Sequence, residues 1–63
     1  MSEKVKEALD RVKGYGAESR GNLYAAAYGT VNAFLICEEY ESAREFTFEF
    51  DRWLKEKEKE NGE

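Results

Sequence analysis

The run NLYAAAYGTVNAFLIC, residues 22–37, contains no charged side chain, in a chain of 63 residues of which 38% are Asp, Glu, Lys or Arg. Read as a helix, it turns apolar or small side chains in every direction. Leu23, Ala27, Thr30, Phe34 and Cys37 share one face, and Tyr24, Tyr28, Val31 and Leu35 share a second. Ala25, Gly29, Ala33 and Ile36 share a third, which reaches Tyr40 if the helix continues. A helix that is apolar around most of its circumference must be covered around most of it. The remainder of the chain holds too few apolar residues to do so, and this mismatch predicts a central helix shared with another copy, a ligand or a partner. A membrane span is not predicted, because sixteen residues diluted by Asn22, Gly29, Thr30 and Asn32 fall short of the roughly 20 apolar residues a bilayer requires.

Chain length sharpens the mismatch. A domain of 63 residues sits near the size at which a single core barely offsets the entropy of folding, and such domains commonly rely on a staple. A disulfide within the chain is excluded, since Cys37 is the only cysteine, and one Cys with no His is a poor zinc site. Self-association is the remaining ordinary remedy. A single thiol within an apolar run suits a reducing cytosol, and residues 1–13 carry charges throughout, unlike a secretory leader. The expectation is a soluble, cytoplasmic protein.

Residues 2–13 read as an amphipathic helix, with Val5, Leu9 and Val12 at helical spacing beside Ala8 and with Ser2 placed to cap the start. Gly14 is the expected stop. Residues 14–21, GYGAESRG, hold three glycines and read as a loop, after which Glu18, Ser19 or Asn22 opens the central helix of residues 22–38. No Pro or Gly interrupts the chain between Gly29 and Gly62, so two arrangements compete beyond Cys37: one long helix, or a turn and an antiparallel return. Ser42 with Glu45 three residues on is a capping box, and Glu38, Glu41 and Glu45 stand where a continuing heptad needs apolar residues. Both features favour the hairpin.

The last helix, residues 42–58, carries Ala43, Phe46, Phe50, Trp53 and Leu54 at helical spacing. Phe46, Phe48 and Phe50 also alternate as in a strand, but a lone strand has no sheet to join. The tail, residues 59–63, is expected to fray, because Lys55 with Lys59 and Glu56 with Glu60 repeat like charges one turn apart. The whole is predicted to be one all-α domain, three helices with a central antiparallel hairpin, completed into a larger bundle by oligomerisation. Within EEYESAREF, Tyr40 followed by Ala43 resembles the turn and second-helix start of tetratricopeptide-type hairpin repeats. That resemblance implies the turn alone, since Thr47 replaces a large aromatic and the first-helix signature is missing.

Chemistry is sparse. There is no His, and Cys37 is followed by Glu38, Glu39 and Glu41, which oppose thiolate formation; a buried structural thiol and a non-enzyme are expected. Glu38, Glu41 and Glu45 would share a face of a continuous helix, but nothing fixes them as oxygen ligands, so neither metal nor cofactor is predicted. The loop offers a small anion or nucleotide site, with Tyr15 for stacking, Arg20 for a phosphate, and Ser19 and Asn22 at a helix start. It matches neither a P-loop nor a dinucleotide fingerprint.

The net charge of −4 is uneven: residues 1–37 sum to +1 and residues 38–63 to −5. An acidic half repels phosphate backbones and disfavours nucleic acid, while leaving a protein with a basic surface as a conceivable partner. Aromatics that a three-helix monomer leaves uncovered are candidates for an interface, namely Tyr24, Tyr28 and Phe48, with Val31, Leu35 and Trp53 beside them. The functional expectation is a small acidic interaction module, an adaptor or inhibitor that binds a macromolecule as a homo-oligomer. In size and acidity it resembles small phage-encoded or mobile-element inhibitors. The alternative is an oligomeric small-ligand binder using residues 14–22.

Overall fold

Periodicity in three segments becomes three helices in the computed structural model, which describes residues 2–16 and 19–61. They are α1 (Glu3–Gly16), α2 (Arg20–Ile36) and α3 (Tyr40–Asn61), each packed on both others, with no strand among the described residues. The all-α hairpin architecture is therefore the one found.

Helix α1 begins as its sequence dictates. Ser2 Oγ accepts the Val5 N–H at 3.2 Å, satisfying an otherwise unpaired donor of the first turn, and the Ser2 carbonyl accepts the Lys6 N–H at 3.0 Å as the first bond of the helix. Val5, Leu9 and Val12 are all buried. The helix does not stop at Gly14, however, but continues through Gly16. Packing explains the extension: a Cβ on Gly16 would lie 2.5 Å from Leu23 Cδ1, so this glycine lets the end of α1 lie directly against α2. The expected loop of residues 14–21 is correspondingly shorter. Ser19 is the cap of α2, its Oγ accepting the Asn22 N–H at 3.0 Å, whereas the competing Glu18 lies outside the described residues.

The reversal between α2 and α3 is a Schellman turn. Cys37 N–H donates to the Ala33 carbonyl at 3.1 Å, Glu38 N–H to Leu35 at 3.0 Å and Glu39 N–H to Phe34 at 2.8 Å. Glu38 takes the left-handed position with φ 59°, normally given to glycine. Two expectations are corrected here. Helix α3 starts at Tyr40 and not at Ser42, because the Glu39 carbonyl already accepts the Ala43 N–H at 3.0 Å and Ser42 falls inside the first turn. Cys37 is exposed, not buried, because α2 ends there and the turn carries it away from the Phe34 face.

Helix α3 reaches Asn61, further than expected for a chain with like charges in its tail; residues 62 and 63 lie outside the described part. Opposite-charge pairs support it, Arg52 to Glu49 at 2.7 Å, Lys55 to Asp51 at 3.2 Å and Arg20 of α2 to Glu58 at 3.2 Å. Inside the bundle, Val5, Leu9 and Val12 meet Leu23, Ala27 and Phe34 and close on Ala43 and Phe46. Phe46 is fully buried, tilted against Phe34 at 6.3 Å and stacked on Phe50 at 5.9 Å between ring centroids. Phe50 in turn meets Tyr24 edge-on at 6.4 Å and Trp53 at 6.0 Å. The apparent strand alternation thus resolves on a helix: Phe46 and Phe50 face inward and Phe48 faces out. Thr30 and Thr47 satisfy their hydroxyls on the Ala26 and Ala43 carbonyls one turn back, at 2.9 and 2.8 Å. Among the described residues, no helix is long and apolar enough to cross a membrane.

Candidate interaction surface

Of the three apolar faces of α2, one is covered. Leu23, Ala27 and Phe34 are buried, while Tyr24 and Val31 at the flank are half-buried. The rest stands in solvent: Tyr28 is 71% exposed, Leu35 44% and Ile36 80%. Tyr40 and Phe48 of α3 add two more exposed large apolar side chains. These five, on a chain with this proportion of charge, constitute the unusual feature of the molecule.

Between α2 and α3 runs a mainly apolar groove of about 400 Å³. Tyr24, Ala27, Tyr28 and Val31 line one wall, Phe46, Thr47, Phe50 and Leu54 the other, with Asp51 at the edge. Three of the six candidate interface residues are thereby gathered, Tyr24, Tyr28 and Val31. Leu35 continues their stripe one turn further along α2. The other two lie elsewhere. Phe48 borders a separate recess among Ser2, Glu41, Arg44 and Glu49. Trp53 is half-buried on the far side of α3, with Lys13 Nζ 5.4 Å and Lys57 Nζ 5.2 Å from its ring, so two ammonium groups cover the part that Phe50 leaves open.

The candidate ligand loop is less concentrated than its spacing suggested. Tyr15 lies on the last turn of α1 and is exposed. Ser19 Oγ is engaged by the Asn22 N–H, and the Arg20 guanidinium is paired with Glu58 at the other end of the chain. Glu38, Glu41 and Glu45 are divided between the turn and α3, and no group of three Cys, Asp or Glu suited to a metal occurs among the described residues. The pronounced electrostatic contact is at the turn. Glu39 accepts a hydrogen bond from Lys4 Nζ at 2.7 Å, and that bond, reinforced by the opposite charge, raises the Lys4 pKa above its ordinary 10.5.

Ile36 and Tyr40 were not singled out as interface residues from sequence. A signal was present for Ile36: it shares a face with Ala25, Gly29 and Ala33, where neither flanking helix has matching apolar residues left to offer. Tyr40 was obscured because a continuous helix would have placed it on that same face, whereas the turn moves it to the start of α3.

The fold and surface define a class: a small three-helix bundle whose central helix is only half covered. No family model matches the chain, and comparison with curated proteins and with solved structures likewise finds no match.

Proposed function

We propose that this protein is a non-catalytic interaction module, an adaptor or inhibitor that works as a homo-oligomer bound to a macromolecular partner. The observation that supports this reading is the set of large apolar side chains left in solvent on α2 and α3, Tyr28, Leu35, Ile36, Tyr40 and Phe48, to which α1 adds Tyr15. Monomeric proteins scatter such residues singly, whereas three on one short helix mark a surface meant to be covered. The excess of carboxylates in residues 38–63 directs the partner contact toward a basic protein surface. A cytoplasmic setting and an origin in a phage or mobile element accord with the size, acidity and single thiol. The small-ligand reading draws no comparable support, because Ser19 and Arg20 are engaged within the chain.

Two measurements test the proposal together. Light scattering over a wide concentration range is expected to give a mass above that of one chain. Affinity capture is expected to retain a basic protein that is lost when Glu41 and Glu56, both exposed, are replaced by Lys. A monomer at every concentration, with no partner sensitive to that replacement, would refute it.

A further inference from the structure

We propose that two copies pair α2 against α2 in antiparallel fashion, about a two-fold axis that passes between Gly29 and Asn32. This rests on the homo-oligomeric reading above and assigns it a surface and a geometry. The open side of α2 carries Ala25, Gly29, Asn32 and Ile36 at intervals of four, three and four residues, the spacing of a helix-pair seam. All four are exposed. Turned about an axis midway along that series, the row is complementary to itself: small Ala25 meets large Ile36 of the second copy, and Gly29 meets Asn32. An isologous contact requires that self-complementarity.

Charge selects a second copy as the occupant. Each chain carries −4, so two copies approach with least repulsion across a surface that bears no charge, and residues 21–37 bear none. The outer faces of α1 and α3 present Lys6, Asp10, Glu41, Arg44 and Arg52 instead. A basic partner would gain nothing from the uncharged face and would favour the carboxylates. Length agrees, since α2 runs for about 25 Å and its uncharged face extends along nearly all of it, so two copies can lie together over several turns. Gly29 also becomes intelligible. A Cβ there would meet nothing within 4 Å, so the monomer has no use for a glycine that weakens its helix, whereas a helix crossing at that point does.

Direction follows from the turn. Residues 38–45 place four glutamates against one arginine at one end of α2, whereas Arg20, Lys55, Lys57 and Lys59 accompany the glutamates near the other. Parallel helices would bring two acidic turns together. Antiparallel helices set each beside the more basic end of the other copy.

The test uses Asn32→Lys and Asn32→Glu in the full chain, singly and mixed, by sedimentation, with circular dichroism to follow the fold. Both residues form helix better than Asn, so the monomer keeps its structure. Each variant alone is expected to move the dimerisation midpoint on the order of ten-fold or more to higher concentration, and an equimolar mixture is expected to restore it. Cys37 reports direction: the two thiols of an antiparallel pair stand roughly 20 Å apart along the helix axis, beyond a short bismaleimide. A wild-type chain that stays monomeric would remove the oligomeric reading and this surface together. An oligomer that ignores charge at Asn32 but dissociates on Phe48→Lys would overturn the surface alone, and rapid Cys37 to Cys37 cross-linking would overturn the antiparallel geometry.

Discussion

The two sides of α2 are equally free of charge and have opposite fates. Leu23, Ala27 and Phe34 are enclosed, while Tyr28 and Ile36, large side chains of the same uncharged helix, stand in solvent. Charge does not separate them; neighbours do. Helices α1 and α3 both approach α2 from one side, and two neighbours at 8–10 Å cover roughly half of a helix's circumference. Apolarity therefore establishes that a face gains from being covered, and the number of covering elements in the chain establishes whether it is.

The difference is broken most severely from within. Phe46 is fully buried against Phe34 and Phe50, and Phe46→Ala is expected to cost about 3–5 kcal/mol, comparable with the whole stability of so small a domain. Urea titration should show no cooperative transition. Ile36→Ala, which also removes a large aliphatic side chain but from the open side, should change the stability of dilute protein by less than about 0.5 kcal/mol. It should, however, lower the melting temperature of concentrated protein if the proposed dimer forms, since the stability of a dimer follows mass action. Equal losses from both substitutions in dilute solution would show that the two sides of α2 are not distinct.

A smaller effect with opposite signs comes from one substitution at two glycines. Gly16→Ala drives a methyl to 2.5 Å from Leu23 Cδ1 and 3.1 Å from Leu23 Cβ, and Leu23 is buried with little room to yield. A loss of about 1–3 kcal/mol is expected. Gly29→Ala, on the open side, adds a methyl to empty space and should raise the stability of dilute protein by up to about 1 kcal/mol. Thermal melts of both variants at low concentration measure the contrast directly.

The core was legible because it obeys simple periods. Val5, Leu9 and Val12 repeat every three or four residues, and Phe46, Phe50 and Trp53 do likewise, so the helices and their inward faces follow from spacing. The boundaries were less so. Nothing in residues 14–16 shows that Leu23 will pack onto Gly16, and a glycine at Gly14 ordinarily ends a helix. The Ser42 capping box was misleading because an earlier reversal, held by three backbone bonds and Glu38 at positive φ, had already started α3. Glutamate has no preference for that conformation, so sequence carried no warning. The open surface was half legible: a shortage of cover could be inferred from residues 22–37, but which face would lack it depended on where α1 and α3 approach. The ligand loop shows the converse, since Ser19 and Arg20 were plausible by type, but Ser19 caps α2 through the Asn22 N–H and Arg20 pairs with Glu58 of α3.

The turn offers a way to strengthen the enclosed side without touching the open one. Glu38→Gly removes the steric penalty of a left-handed residue at the Schellman position, less the extra freedom glycine gives the unfolded chain. A net gain of about 0.5–1 kcal/mol is expected, visible in denaturant titration, with the dimerisation midpoint moved only slightly to higher concentration, since one of the four glutamates of the turn is removed. A fall in stability would mean that the Glu38 side chain makes an interaction worth more than the strain.

The finest probe of the same side is Lys4, which joins α1 to the turn through Glu39 at 2.7 Å. Because the hydrogen bond and charge of Glu39 raise the folded pKa of Lys4 above 10.5, the folded chain holds that proton more tightly than the unfolded one. The contribution is therefore complete below pH 10.5 and is lost as pH rises through the raised value. Lys4→Met should accordingly be slightly less stable than wild type at neutral pH, by an amount that shrinks with added salt because the pair is exposed. The difference should close in strongly alkaline solution. A difference that persists there undiminished, or ignores salt, would mean that Lys4 supports α1 through its methylenes rather than its charge.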